Sequence, residues 1–199
     1  QRLLDYQDID YASEYLDRVG VIRNLADRTG PRQDHRATIE AARWIAVAMS
    51  YDDIIRVADL KSRPERFERI RAEVGADAQA LVGTVEYFHP RVEEVCALLP
   101  AWLGLRIEAS PDLRARLERW FGQGRRVRSH TVTGQLMLHA LAGLRRWRRG
   151  SLRHQREQAH LEHWLEAVAE ALGRDYELGV ELLRCRRLIK GYSDTHSRG

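Results

Sequence analysis

The sequence predicts an all-α fold, an irregular antiparallel bundle of about seven to nine helices, and three observations carry that expectation. Apolar residues recur at spacings of three and four along the whole chain, the repeat that lines one face of a helix. No run alternates apolar and polar side chains as a half-buried strand does, and Asn-Gly and Asp-Gly hairpin turns are missing. The connections are short, which favours antiparallel neighbours.

In the first segment Tyr11, Tyr15, Val19 and Ile22 form one stripe, closed by Gly30-Pro31. A second helix is expected over 34–49, with Ile39, Ala42, Ile45, Ala46 and Met49 apolar, and a short one over 53–60. Ser62-Arg63-Pro64-Glu65 reads as a capping box opening a helix that runs to Val74 and stops at Gly75. The stretch 77–88 is read as helical despite Gly83 and Thr84. His89-Pro90 and Ser110-Pro111 each open a further helix, because proline suits the first turn, where its missing N–H costs nothing. These helices are expected to close at Leu99-Pro100 and Phe121-Gly122. One helix is expected over 131–149, with Val132, Leu136, Ala140 and Leu144 on one face. A long helix follows over 152–172, and a last one, capped by Asp175, reaches about Ile189.

The chain has 199 residues, enough to bury a sizeable core, and 31% of them are charged against 44% hydrophobic. No apolar run approaches the roughly 20 residues of a membrane span, and no signal peptide opens the chain. Two cysteines do not make a disulfide framework, which with the absence of a span points to a soluble protein of the cytoplasm. The first residue is Gln1, and the chain stops just after a compact polar segment. We therefore expect residues 1–199 to be a single helical accessory domain excised from a larger subunit.

The net charge of +4 is unevenly spread: residues 1–100 hold 14 basic and 18 acidic side chains, and residues 101–199 hold 19 and 11. A basic half attracts phosphates or an acidic protein face. Nearly all the cations are arginine, a skew that genomic base composition also produces, so it weighs little for nucleic acid. Arg145-Arg146-Trp147-Arg148-Arg149 stands out. Arginines around an indole suit phosphate and base stacking, an acidic partner, or simply the negative end of a helix dipole; the last is the plainest reading.

Two further groups of residues invite chemistry. His160, His163, Glu166 and Glu170 lie on one side of the long helix, but Leu161, Trp164, Leu165, Val168 and Leu172 define the opposite, core side. The spacing fits no zinc protease motif, so a solvated polar face is expected and no metal site. Cys96 and Cys185 both read as buried thiols on apolar stripes. The tail Lys190-Gly191-Tyr192-Ser193-Asp194-Thr195-His196 gathers a cation, a phenol, a carboxylate and an imidazole, and loops of that kind often carry function. Phosphate-binding glycine loops, nucleophile elbows and cysteine runs for iron–sulfur clusters are all missing.

Several segments together resemble a known family. They are Asp5-Tyr6-Gln7-Asp8, the run from Ala48 to Lys61 (AMSYDDIIRVADLK), Glu86-Tyr87-Phe88-His89-Pro90-Arg91-Val92-Glu93-Glu94, Leu141 to Gly150 (LAGLRRWRRG) and Lys190 to Gly199 (KGYSDTHSRG). In this order they are similar to the helical region of the beta subunit, or of the fused long form, of indolepyruvate ferredoxin oxidoreductase. The resemblance implies a parent enzyme that oxidatively decarboxylates aryl-pyruvates with thiamine diphosphate, coenzyme A as substrate and iron–sulfur clusters, reducing ferredoxin. It implies no catalytic role for this region, and no catalytic, cofactor-binding or metal-ligating residue is expected here. The segment alone is expected to be inactive. The expected partners are other domains or subunits of the parent, ferredoxin among them, but no membrane. The contacts expected to serve a partner or ligand are Asp59, Lys61, Arg145, Arg146, Arg148, Arg149, Lys190, Tyr192, Asp194 and His196. The alternative is a helical regulatory or nucleic-acid-binding module with a basic second half.

Overall fold

The structure, a computed structural model, describes residues 1–31, 33–77, 80, 82–88, 91–121 and 125–188. Among them the elements run α1 (Arg2–Tyr6), α2 (Ile9–Thr29), α3 (Arg36–Met49), α4 (Ile54–Ser62), α5 (Pro64–Glu73), β1 (Val85–Phe88), α6 (Val92–Leu98), α7 (Ala101–Glu108), α8 (Pro111–Phe121), β2 (Arg125–Arg128), α9 (Val132–Gly143), a 3-10 helix (Leu144–Gly150), α10 (Leu152–Arg174), α11 (Tyr176–Cys185) and a second 3-10 helix (Arg186–Leu188). The all-α class is as the periodicity predicts, with eleven α-helices where seven to nine were expected. None of the described helices is long and apolar enough to cross a membrane. The chain divides into two compact units, Gln1–Asp52 with Arg156–Gly199, and Asp53–Gln155.

The first unit is built on α3. Its Ala37, Ala41, Ile45, Ala48 and Met49 are buried, and the small side chains let α2 and α11 approach closely. From α10 come Leu161, Val168 and Leu172, and from α11 come Tyr176, Val180 and Leu183. The last carbonyls of a helix have no partner within it. Here a tyrosine supplies one: the Tyr11 hydroxyl donates to Met49 O at 2.9 Å, while the Tyr15 hydroxyl bonds a mid-helix carbonyl, Ala42 O, at 3.0 Å. Just beyond the helix, Tyr6 donates to Tyr51 O at 2.9 Å. Tyr11 and Ile22 are buried, with Tyr15 and Val19 packed against the core, so the predicted stripe faces inward. Asp8 starts α2 by accepting from Tyr11 N at 2.8 Å. Gly30 ends it where a Cβ would meet the Tyr176 ring at 2.5 Å.

In the second unit α4 packs on α9 and on the first 3-10 helix, while α6, α7 and α8 pack on one another. Ile55, Ala58, Val92, Cys96, Leu138 and Leu152 are its buried apolar residues. β1 and β2 pair antiparallel, Val85 opposite Arg128 and Phe88 opposite Arg125. Gly134 lets the first turn of α9 pass against the Arg128 carbonyl, which a Cβ would strike. Gly134→Ala is expected to lower stability by about 1–3 kcal/mol through overpacking. The check is a fall in the urea midpoint at constant slope, and an unchanged midpoint would contradict the packing described.

Several expectations are corrected. The stretch 77–88 is not helical in its described residues but ends in β1, because Val85 and Tyr87 find pairing partners some 40 residues away. Ser62 opens no capping box. It is the last residue of α4, and its hydroxyl donates back to Asp59 O at 2.9 Å, while Arg63 precedes Pro64 without a side-chain cap. The helix expected over 131–149 gives way at Gly143 to the tighter 3-10 form. The helix α7 is additional. Cys96 is buried as expected, but Cys185 is exposed, because α11 turns Gly179, Val180 and Leu183 inward instead of the stripe through Leu178. His160, His163, Glu166 and Glu170 are exposed, with Leu161, Val168 and Leu172 facing the core.

Candidate docking surface

Five arginine-rich residues occupy the 3-10 helix, and the structure separates them sharply. Arg145, Arg146, Trp147 and Arg149 are exposed, whereas Arg148 is only 2% exposed. Its guanidinium reaches Asp53, Nε to Oδ2 at 2.8 Å and Nη2 to Oδ1 at 3.2 Å. That is the two-pronged geometry in which arginine matches a carboxylate best. Asp53 is also the N-cap of α4, accepting from Arg56 N at 2.6 Å through Oδ1. One buried carboxylate thus starts a helix and holds the 3-10 helix against it. Ser151 closes that helix, its hydroxyl donating to Arg148 O at 2.7 Å and accepting from His154 N at 3.2 Å. Leu152 N donates to Leu99 O at 2.9 Å, a second fixed point.

Asp59 and Lys61 also lie inside ion-pair networks. Asp59 accepts from Arg56 at 2.8 Å and from Arg63 at 2.7 Å. Lys61 and Arg66 both bond the carboxylate of Glu86, which projects from β1 and is 7% exposed. Burial pushes the Glu86 carboxyl up, but the hydrogen bonds and charges of Lys61 and Arg66 outweigh it, and the net shift is below the ordinary range. Asp59, Lys61 and Arg148 are thus engaged within the fold, Arg148 buried and Asp59 and Lys61 each with 27% of the side chain exposed. Lys190, Tyr192, Asp194 and His196 lie outside the described residues. Among the described residues no group of three or more His, Cys, Asp and Glu side chains is placed to hold a metal ion.

What remains outward is α9 with its sequel. The stripe Val132, Leu136 and Ala140 is exposed, Val132 at 76% and Leu136 at 65%, with Met137 beside it. Only Gly134 and Leu138 of α9 are fully buried. A helix that is apolar on both sides ordinarily has cover on both. The stripe leads directly into the exposed Arg145, Arg146, Trp147 and Arg149. From Arg119 to Gln155 the chain holds nine arginines and no aspartate or glutamate, so the local sequence of this stretch is strongly basic. On the ribbon the Arg126 guanidinium lies 5.4 Å from the Tyr87 ring centroid, both side chains exposed. An open groove along α8 repeats the combination with Arg116, Leu117, Arg119 and Trp120.

Sequence reasoning found the arginine run but missed Asp53, Glu86 and the outward turn of α9. The N-cap position of Asp53 is readable from its place before an apolar run; its arginine partner, 95 residues away, is not.

Fold and surface together define an all-α module with an exposed face that joins apolar and arginine side chains. Residues 1–199 match the model of a family of unknown function, DUF6537, and the chain belongs to that family. No curated protein and no solved structure matches the chain.

Proposed function

We propose that this chain is a non-catalytic accessory and docking domain of a thiamine-dependent 2-oxoacid (indolepyruvate):ferredoxin oxidoreductase subunit in the cytoplasm. The parent reaction rests on the sequence resemblance. The docking role rests on one observation, the uncovered apolar stripe of α9 running into exposed arginines and Trp147 on a 3-10 helix anchored from within by Arg148. The occupant is an acidic surface of another subunit or domain of the same oxidoreductase. An apolar centre with an arginine and tryptophan rim has the composition of an interaction patch. Charge of one sign around it speeds encounter and selects against basic partners. Thiamine diphosphate, the iron–sulfur clusters and coenzyme A belong, on this reading, to the remainder of the parent.

The experiment replaces Arg145, Arg146 and Arg149 by Glu in the complete parent enzyme and follows assembly by sedimentation at low and high salt. Assembly is expected to weaken at least tenfold at low salt, and Leu136→Asp is expected to weaken it at every salt concentration. Unchanged assembly with both variants would sink the reading. If assembly holds while the KM for ferredoxin rises, the occupant is ferredoxin.

The regulatory or nucleic-acid-binding alternative draws on the exposed Arg–Trp pairing. It predicts affinity for an oligonucleotide that falls by about one power of salt per phosphate neutralised. The apolar stripe of α9 has no counterpart in such a contact, which is why the protein partner is preferred.

A further inference from the structure

We infer that the partner of the docking face is a second copy of this chain, which offers the outer face of its α2. The inference rests on the docking reading and names the acidic surface that reading requires. An amphipathic helix at a surface normally turns a polar side to water. Yet α2 presents Ile9, Leu16 and Val21 there, 72%, 65% and 62% exposed. Ile9 and Leu16 stand two turns apart on one side of the helix, about 10 Å along it. Asp10 and Asp17 repeat that spacing one residue further on, and both are exposed. From Leu3 to Ile22 the chain holds five carboxylates and one arginine. That arginine, Arg18, leans on α10, donating to Gln158 Oε1 at 2.7 Å and pairing with Glu162 at 3.7 Å. The outer face of α2 is therefore apolar with an acidic border.

The docking face is its counterpart with the charge reversed. Val132, Leu136 and Ala140 line α9 over about 12 Å, and Arg145, Arg146 and Arg149 follow, all of them exposed. Helices with apolar rows of similar length pack ridge into groove. Carboxylates on one against guanidiniums on the other then fix partner and register. Two like faces would instead set arginine against arginine, or aspartate against aspartate. The contact is therefore heterologous, α2 of one copy lying on α9 and the 3-10 helix of the next. Each pair keeps one face of either kind uncovered, so association proceeds beyond two copies.

The test is sedimentation of the whole chain across a roughly hundredfold range of concentration, at low and high salt. The average mass is expected to rise with concentration at low salt, and to rise less at high salt. Asp10→Lys with Asp17→Lys is expected to weaken self-association about tenfold or more, and Arg145→Gln with Arg146→Gln and Arg149→Gln likewise. All five side chains are exposed, so Tm is expected to stay where it is. An equimolar mixture of the two variants keeps one intact pairing, the arginines of the first with the aspartates of the second. It is expected to form one-to-one pairs and to stop there, an outcome that contact between like faces does not give. A chain that is monomeric throughout would overturn the inference. So would association that persists in the aspartate variant, growth that halts at a symmetric dimer, or a mixture that stays apart. After any of these the docking reading still stands if replacing Arg145, Arg146 and Arg149 weakens assembly of the complete parent, and it falls too if assembly is unchanged.

Discussion

Asp53→Ala is expected to lower the unfolding free energy by about 3–5 kcal/mol, the largest loss of any single substitution considered. The side chains of Asp53 and Arg148 are 5% and 2% exposed. In so little water, removing one partner leaves the other charge without the group that offset its desolvation. The same substitution deletes the N-cap of α4, whose loss alone is commonly about 0.5–2 kcal/mol. The variants Asp53→Asn and Arg148→Met separate the two contributions. Asp53→Asn keeps an acceptor for Arg56 N and loses the charge, so it should cost less than Asp53→Ala. Arg148→Met leaves the cap but buries an unneutralised carboxylate. Combining Asp53→Asn with Arg148→Met should recover part of the loss, because a neutral pair of similar volume no longer carries a desolvated charge. Urea unfolding measures each term, with the slope held constant. A loss below about 1 kcal/mol for Asp53→Ala would mean that the pair is far wetter than its burial indicates. Docking should fall with Asp53→Ala as well, although no surface charge changes, because the 3-10 helix loses its anchor to α4.

That pair also marks how far the sequence is legible. Long amphipathic segments were readable because burial of one helix face imposes a period on many residues at once. Tyr11 and Ile22 on α2, and Leu161, Val168 and Leu172 on α10, follow it. Periodicity is weaker where two stripes compete. On α9 both Val132-Leu136-Ala140 and Gly134-Leu138 fit a helix face, and only tertiary packing chooses the second. On α11 the same ambiguity, displaced by one residue, exposes Cys185. The ribbon was illegible for another reason: four residues per strand leave too short an alternation, and the partner strands are distant in sequence. As for the docking face, the arginine run was plain, but nothing local distinguishes Arg148 from its three neighbours. The distinction lies in which of them reaches the carboxylate that caps α4.

Glu86→Ala carries the second large effect, an expected loss of about 3 kcal/mol, since it leaves Lys61 and Arg66 facing each other without the carboxylate that neutralises them. Their side chains are 27% and 19% exposed, so solvent screens this repulsion only in part. Glu86 also brings pH into the stability of the second unit. Its carboxyl titrates below the ordinary 4.5 in the folded chain, so the folded state holds fewer protons than the unfolded one between those two values. The stabilisation is therefore complete above about pH 4.5 and declines as pH falls through the lower, folded value. Glu86→Gln, uncharged throughout, should flatten that acid limb while leaving the neutral-pH plateau lower. Amide exchange in Val85–Phe88 and Arg125–Arg128 should rise in step, because Glu86 fastens β1 to Lys61 of α4 and Arg66 of α5, and β2 is paired to β1. An acid limb identical in Glu86→Gln would assign the pH dependence to other carboxylates, and unchanged ribbon exchange would show that the strand pairing holds without the ion triad.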